Sequence, residues 1–180
     1  MHKEKNTLKL IAPTKEYEKQ ISDYKNEFLI NGENMAGTGG LEDAKTVDEY
    51  IISVKNNLKK ETVKEGLVPA STFLAIRIED NKLVGMIDIR HELNDYLLNF
   101  GGNIGYSVRT TERRKGYAKE MLRLGLEKCS DLKMKKVLIT CDKDNIASLK
   151  TILANGGVLE NEVQTPDRIT QRYWIKIDKP

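Results

Sequence analysis

The sequence predicts a single α/β (α+β) domain with a central mixed, mostly antiparallel twisted sheet of about seven strands flanked by about four helices. Three observations carry this expectation. Apolar residues recur at helical spacing in four separated segments, while seven short runs have strand character. The runs at residues 73–78 and 83–89 are separated only by Glu79-Asp80-Asn81-Lys82, a polar linker that closes a hairpin. The chain has 180 residues with 39% hydrophobic content, enough for one continuous core and cramped for two.

Residues 8–11 read as a first short strand. Pro13-Thr14 then opens a helix in which Tyr17, Ile21, Tyr24 and Phe28 form one apolar stripe. Residues 31–40 contain Gly32, Gly37, Gly39 and Gly40 and read as a flexible loop. Thr46-Val47-Asp48-Glu49 matches a capping box, starting a second helix that aligns Val47, Ile51, Val54 and Leu58. After the hairpin, residues 93–102 read as a loop and residues 103–109 as a strand ending in Thr110-Thr111-Glu112. From Tyr117 the residues Met121, Leu122, Leu124, Leu126 and Cys129 require a helix, and residues 136–140 return to strand. Strand, helix and strand in that order predict a crossover unit with a parallel pair. Asn145 caps a last helix with Ile146, Leu149, Ile152 and Leu153, stopped by Gly156-Gly157. Residues 158–163 and 168–177 supply the final strands. No boundary interrupts residues 1–180.

Composition excludes several function classes. The apolar runs are far shorter than the roughly 20 residues a bilayer-spanning helix needs, so no membrane association is expected. The charged start Met1-His2-Lys3-Glu4 has no apolar signal core, which makes cytoplasmic residence the expectation. Cys129 and Cys141 lack metal or redox spacing and read as reduced, structural thiols; no metal is expected. Net charge is only +3. Basic residues do outnumber acidic ones between Arg113 and Lys136, but aromatics are 6% of the chain and only Tyr117 falls there. A nucleic-acid partner is therefore not expected.

The chemistry concentrates at Arg113-Arg114-Lys115-Gly116-Tyr117-Ala118, where a strand gives way to a helix. First-turn N–H groups have no intrahelical partner there and can receive an anion. Gly116 allows close approach to the backbone, and the three cations add charge. A dinucleotide fingerprint needs three glycines and a Walker loop needs lysine after its glycine, so neither pattern fits. Arg-x-x-Gly-x-Ala, fixed here as Arg113, Gly116 and Ala118, resembles instead the acyl-CoA loop of the GNAT superfamily of N-acyltransferases. The preceding Gly105-Tyr106-Ser107-Val108-Arg109, Asn145 after the next strand, and Gly156 agree with that family's order, so the resemblance spans residues 8–177. Arg90-His91-Glu92-Leu93-Asn94 and Arg172-Tyr173-Trp174 are similar to a branch of predicted acetyltransferases with no assigned acceptor.

The resemblance implies acetyl-CoA as co-substrate and an N-acetyltransferase acting by direct attack of a primary amine, carried by a small molecule or a peptide. It implies that backbone amides of Tyr106, Ser107 and Val108 hold the acyl carbonyl and pantetheine. Arg113, Arg114, Lys115, Gly116, Tyr117 and Ala118 would hold the pyrophosphate, and Asn145 the pantetheine arm; helix capping is the alternative role for Asn145. The tyrosine that commonly serves as acid in the family falls at Ile152, which cannot donate a proton. Tyr106 is the candidate acid, with Tyr173 or solvent as alternatives. His91 is the candidate base, with Glu92 or Asp88 through water as alternatives. Asp88 interrupts an apolar strand, and Arg90 is its candidate partner. Ile152 also motivates a second reading, a non-catalytic acyl-CoA-binding sensor. The resemblance places residues 31–40 on the acceptor side, and it is compatible with a monomer or a homodimer.

Overall fold

The computed structural model describes residues 6–177. Seven strands form two antiparallel sheets, each ordered around a buried strand pair. The first contains β1 (Leu8–Ile11), β2 (Ala70–Arg77), β3 (Lys82–Arg90) and β4 (Ile104–Val108) in that spatial order. The second places β7 (Ile169–Lys176) between β5 (Lys136–Asp142) and β6 (Val158–Gln164). Four helices, α1 (Glu18–Ile30), α2 (Val47–Asn56), α3 (Tyr117–Asp131) and α4 (Ile146–Ala154), cover the sheets.

Period-two alternation sends the apolar residues of β2 and β3 to both faces, which explains why β3 is buried from Leu83 to Ile89. One face packs Leu74, Ile76 and Met86 against Ile21, Tyr24 and Phe28 of α1 and Tyr50, Ile51 and Val54 of α2. The other packs Ile87, Ile89 and Ile104 against Met121, Leu122 and Leu124 of α3 and Ile152 of α4. Each fully buried large apolar side chain stabilises the fold by roughly 1.5–3 kcal/mol, so the two layers together fix the sheet between them.

The parallel pair expected from strand, helix and strand does not close. Asn103, just before β4, donates its N–H to Leu138 O at 2.6 Å, and its side-chain oxygen accepts the Leu138 N–H at 2.8 Å. Beyond that double link no ladder joins β4 to β5 among the described residues. The two sheets touch at one end of β4 and part toward the other. The asparagine side chain replaces the next backbone rung, which allows the separation without an orphaned amide at the hinge.

Other differences are local. The first helix starts with a 3-10 turn at Lys15–Tyr17 before α1. Helix α2 ends at Asn56, leaving Leu58 outside it and exposed. Residues 97–101 of the expected loop form a π-helical turn closed by Gly102 N–H to Leu97 O at 2.6 Å. Residues 31–40 are not a loose connection, because Met35 and Thr38 are buried and the backbone lies on β4 and β2. A Cβ on Gly37 would stand 2.2 Å from Gly105 O, and one on Gly39 would stand 2.2 Å from Thr72 Oγ1. Those glycines are needed for the close approach, not only for flexibility.

Candidate active site

The ladder between β3 and β4 decides which amides are free. Arg90 donates to Asn103 O and Arg109 donates to Val84 O, and the register pairs Asp88 with Gly105 and Met86 with Ser107. Antiparallel strands alternate their hydrogen-bonding direction, so Gly105 and Ser107 bond to β3 while Ile104, Tyr106 and Val108 turn their amides toward the gap before β5. Ser107 is therefore committed. Its hydroxyl is committed too, donating to Ala36 O at 2.6 Å and accepting from Tyr24, 2.9 Å away. Of the three strand residues singled out in the sequence, Tyr106 and Val108 offer backbone amides to a ligand in the gap and Ser107 does not.

At the end of β4 the chain makes a 3-10 turn, Thr110–Glu112, and enters the loop. Arg114 has φ +63 and Gly116, the N-cap of α3, has φ +84. Left-handed residues among right-handed ones turn successive amides to one side and make a concave anion-binding surface. The N–H groups of residues 114–119 have no acceptor among the described residues. A Cβ at Gly116 would meet nothing within 4 Å, so the backbone there is open to solvent. The Ala118 and Tyr117 side chains lie against the core, which leaves their amides as their contribution.

The cations of this loop differ from the expectation that all three surround the anion. The Arg113 guanidinium turns back, donating to Val108 O at 3.0 Å, pairing with Glu33 and lying 5.8 Å above the Phe28 ring. Lys115 donates to Glu112 at 2.9 Å. Arg114 makes no ion pair among the described residues and is the loop's uncommitted cation.

Glu112 is 3% exposed and also receives Arg77 at 2.9 Å and Lys82. Arg77 further donates to the Tyr117 hydroxyl at 3.0 Å and grips Asp80 through two nitrogens. Burial alone would raise the Glu112 pKa; the hydrogen bonds from Lys82 and Lys115 and the charges of Lys82 and Arg77 outweigh it and leave it at about 2. The carboxylate is thus ionised at any neutral pH, and its pairing is lost only as pH falls from the ordinary carboxylate range through about 2.

Across the gap, the Tyr106 hydroxyl lies 2.8 Å from Ser148 Oγ on α4. Burial pushes its pKa up to about 12, against the lowering effect of the Ser148 hydrogen bond, so it stays protonated. Asn145 caps α4 by accepting the Ser148 N–H at 3.1 Å, which places capping, Ser148 and Tyr106 in one cluster. Ile152 is fully buried in the core beside Val137 and Ile139. Tyr173 is buried, with its hydroxyl donated to Gln171.

His91 lies beyond the last β3–β4 pair and its Nε2 is 2.8 Å from Ser71 Oγ on β2. Burial lowers its pKa, and Asp88 and Glu92 only partly oppose this, so the ring is neutral at neutral pH. It does not touch Tyr106, whose hydroxyl is engaged on α4. Asp88 is buried, accepts Thr72 Oγ1 at 2.8 Å and pairs with Arg90 at 3.0 Å, as a carboxylate within the apolar stretch of β3 requires. Sequence reasoning missed Glu112, Ser148 and Ser71 as partners. Each pairs with a residue far along the chain, and only the helix-capping pattern at Asn145 pointed toward Ser148.

No helix among the described residues is long and apolar enough to cross a membrane. No group of three or more His, Cys, Asp or Glu could hold a metal among the same residues. Residues 19–158 match the family described as the acetyltransferase (GNAT) domain. Among curated proteins, none matches this chain in sequence. Solved structures share the fold at low identity. The microcin C7 self-immunity acetyltransferase in complex with acetyl-CoA and AMP is 16% identical over 96% of this chain and 94% of its own, with a TM-score of 0.68. A ribosomal L7/L12 α-N-protein acetyltransferase in complex with coenzyme A is 16% identical over 98% and 97%, with a TM-score of 0.67. The spermidine/spermine N-acetyltransferase of Vibrio cholerae is 15% identical over 94% and 94%, with a TM-score of 0.64.

Proposed function

Because this chain belongs to the GNAT family of acetyltransferases and is an acyl-CoA-dependent N-acetyltransferase, we propose that it moves an acetyl group from acetyl-CoA to the primary amine of a small molecule or peptide. One observation carries the donor assignment. The amides of residues 114–119 at the N-terminus of α3 have no acceptor among the described residues, and they follow directly on β4, where Tyr106 and Val108 turn their amides away from β3. Backbone N–H groups with a helix dipole behind them suit a pyrophosphate, and the strand amides suit the pantetheine arm and the acyl oxygen.

A donor anchored at Gly116 runs back along β4 from Val108 toward Ile104, with Asn145 beside the arm. The neutral amine attacks the thioester carbon, the carbonyl oxygen becomes an oxyanion facing the strand amides, and the carbon–sulfur bond then breaks. Tyr106, held protonated, donates a hydrogen bond to the departing sulfur. An ordinary thiol has a pKa of about 8.5, below that of Tyr106, so the tyrosine stabilises the thiolate without surrendering its proton. His91, neutral and at the Ile104 end of the sheet, accepts the amine proton through water.

The test is release of free coenzyme A thiol from acetyl-CoA with a panel of polyamines, amino acids and N-terminal peptides. The panel follows the polyamine and protein N-terminus acceptors in the descriptions of two structures that share the fold. At least one amine should raise thiol release above background and recover as its N-acetyl product. Thiol release that no amine in the panel stimulates would contradict this assignment.

A further inference from the structure

We propose that Glu112 is a positioning residue for the donor anion, clamping the loop of residues 113–118 to the β2–β3 hairpin so that its amides are pre-arranged before any ligand arrives. The proposal rests on the acetyl-CoA reading above. Three facts carry it. Glu112 is buried one residue ahead of the loop and gathers cations from three places: Arg77 at the end of β2, Lys82 at the start of β3, and Lys115 inside the loop. Arg77 reaches past it to the Tyr117 hydroxyl on the other side of Gly116, so the hairpin holds the loop at both ends. Between the two clamps lies the left-handed Arg114, a conformation that a free chain seldom adopts at a non-glycine residue, followed by the left-handed Gly116.

The sign of one substitution separates this role from a simple charge effect. Coulomb's law alone says that removing an anion beside a phosphate site strengthens phosphate binding, and Glu112→Gln would also release Lys82 and Lys115 to meet the ligand. A clamp gives the opposite result. A neutral amide cannot hold three cations, the loop samples more conformations, and the ligand must then order it on binding.

The experiment is calorimetric titration of acetyl-CoA, and separately of inorganic pyrophosphate, into the full chain and its Glu112→Gln variant, with melting temperature as a check on folding. The variant should bind acetyl-CoA roughly tenfold more weakly, about 1.4 kcal/mol, and lose pyrophosphate affinity by the same factor while remaining folded. Equal or tighter binding by the folded variant overturns the clamp and leaves the donor reading intact. If the unsubstituted chain binds neither probe, the donor reading itself falls, and the clamp with it. Should Glu112→Gln not fold, Tyr117→Phe, which deletes only the hydroxyl that Arg77 holds, should weaken both probes about threefold. Unchanged affinity in that variant overturns the clamp.

Discussion

The loop at residues 113–118, proposed to hold the donor, and the glycine-bearing segment at residues 31–40 both adjoin β4, and they use glycine in opposite ways. In the loop, Gly116 takes a left-handed conformation with open space around its α-carbon, and the neighbouring amides have no partners among the described residues. In the other segment, Gly37 and Gly39 are pressed against Gly105 and Thr72, and hydroxyls close the seams, with the buried Tyr50 donating to Thr38 O at 2.7 Å and the partly exposed Ser107 to Ala36 O. One surface leaves backbone open, while the other hides backbone under a packed cover. The Arg113–Glu33 pair joins the two regions, and the Arg109–Glu27 pair ties the end of β4 to α1 beside it, so both regions share an anchor at the end of α1.

The largest expected effect breaks the donor side alone. Gly116→Glu has room for its side chain, and its carboxylate would compete for the amides of residues 117–119. Acetyl-CoA binding measured by calorimetry should be abolished, with the far-ultraviolet circular dichroism of the folded chain retained. Tyr106→Phe comes next. Turnover should fall by roughly 100-fold with acetyl-CoA affinity nearly unchanged, because in the proposed mechanism the hydroxyl acts on the departing sulfur while backbone holds the donor.

Gly37→Ala attacks the cover instead. The new methyl would overlap Gly105 O in a left-handed backbone. Urea unfolding should report a loss of about 3 kcal/mol, combining overpacking and conformational strain, while the donor amides stay available. Glu33→Gln tests the shared anchor, and both acetyl-CoA affinity and amine KM should worsen only about twofold to threefold, since the pair is partly exposed. The smallest effect concerns pH. A base must be neutral, and burial lowers the His91 pKa, so turnover should decline only below the ordinary histidine value of about 6.5, with the acid limb absent in His91→Ala.

The contrast between the two regions also explains what could be read in advance. The strand-to-helix turn at residues 113–118 was legible because its determinants are contiguous: a strand, a short polar turn, Arg-x-x-Gly-x-Ala and a helix. The succession of elements along the chain and the helix stripes were legible for the same reason, each being a period within one segment. The parting of β4 from β5 was not, because it depends on Asn103 bonding Leu138 thirty-five residues away. Nor was the commitment of Arg113 and Lys115, whose partners Glu33 and Glu112 decide their direction only in three dimensions. Residues 31–40 read as flexible from composition. Two of the four glycines, Gly37 and Gly39, serve close packing, and composition does not distinguish the two uses.

Hydrogen–deuterium exchange of the backbone amides, with and without saturating acetyl-CoA, tests most directly whether these amides hold the donor. Ligand should slow exchange at residues 114–119 and at Tyr106 and Val108, leaving Ser107, already paired to β3, unchanged. Binding with no added protection across residues 114–119 would contradict the account.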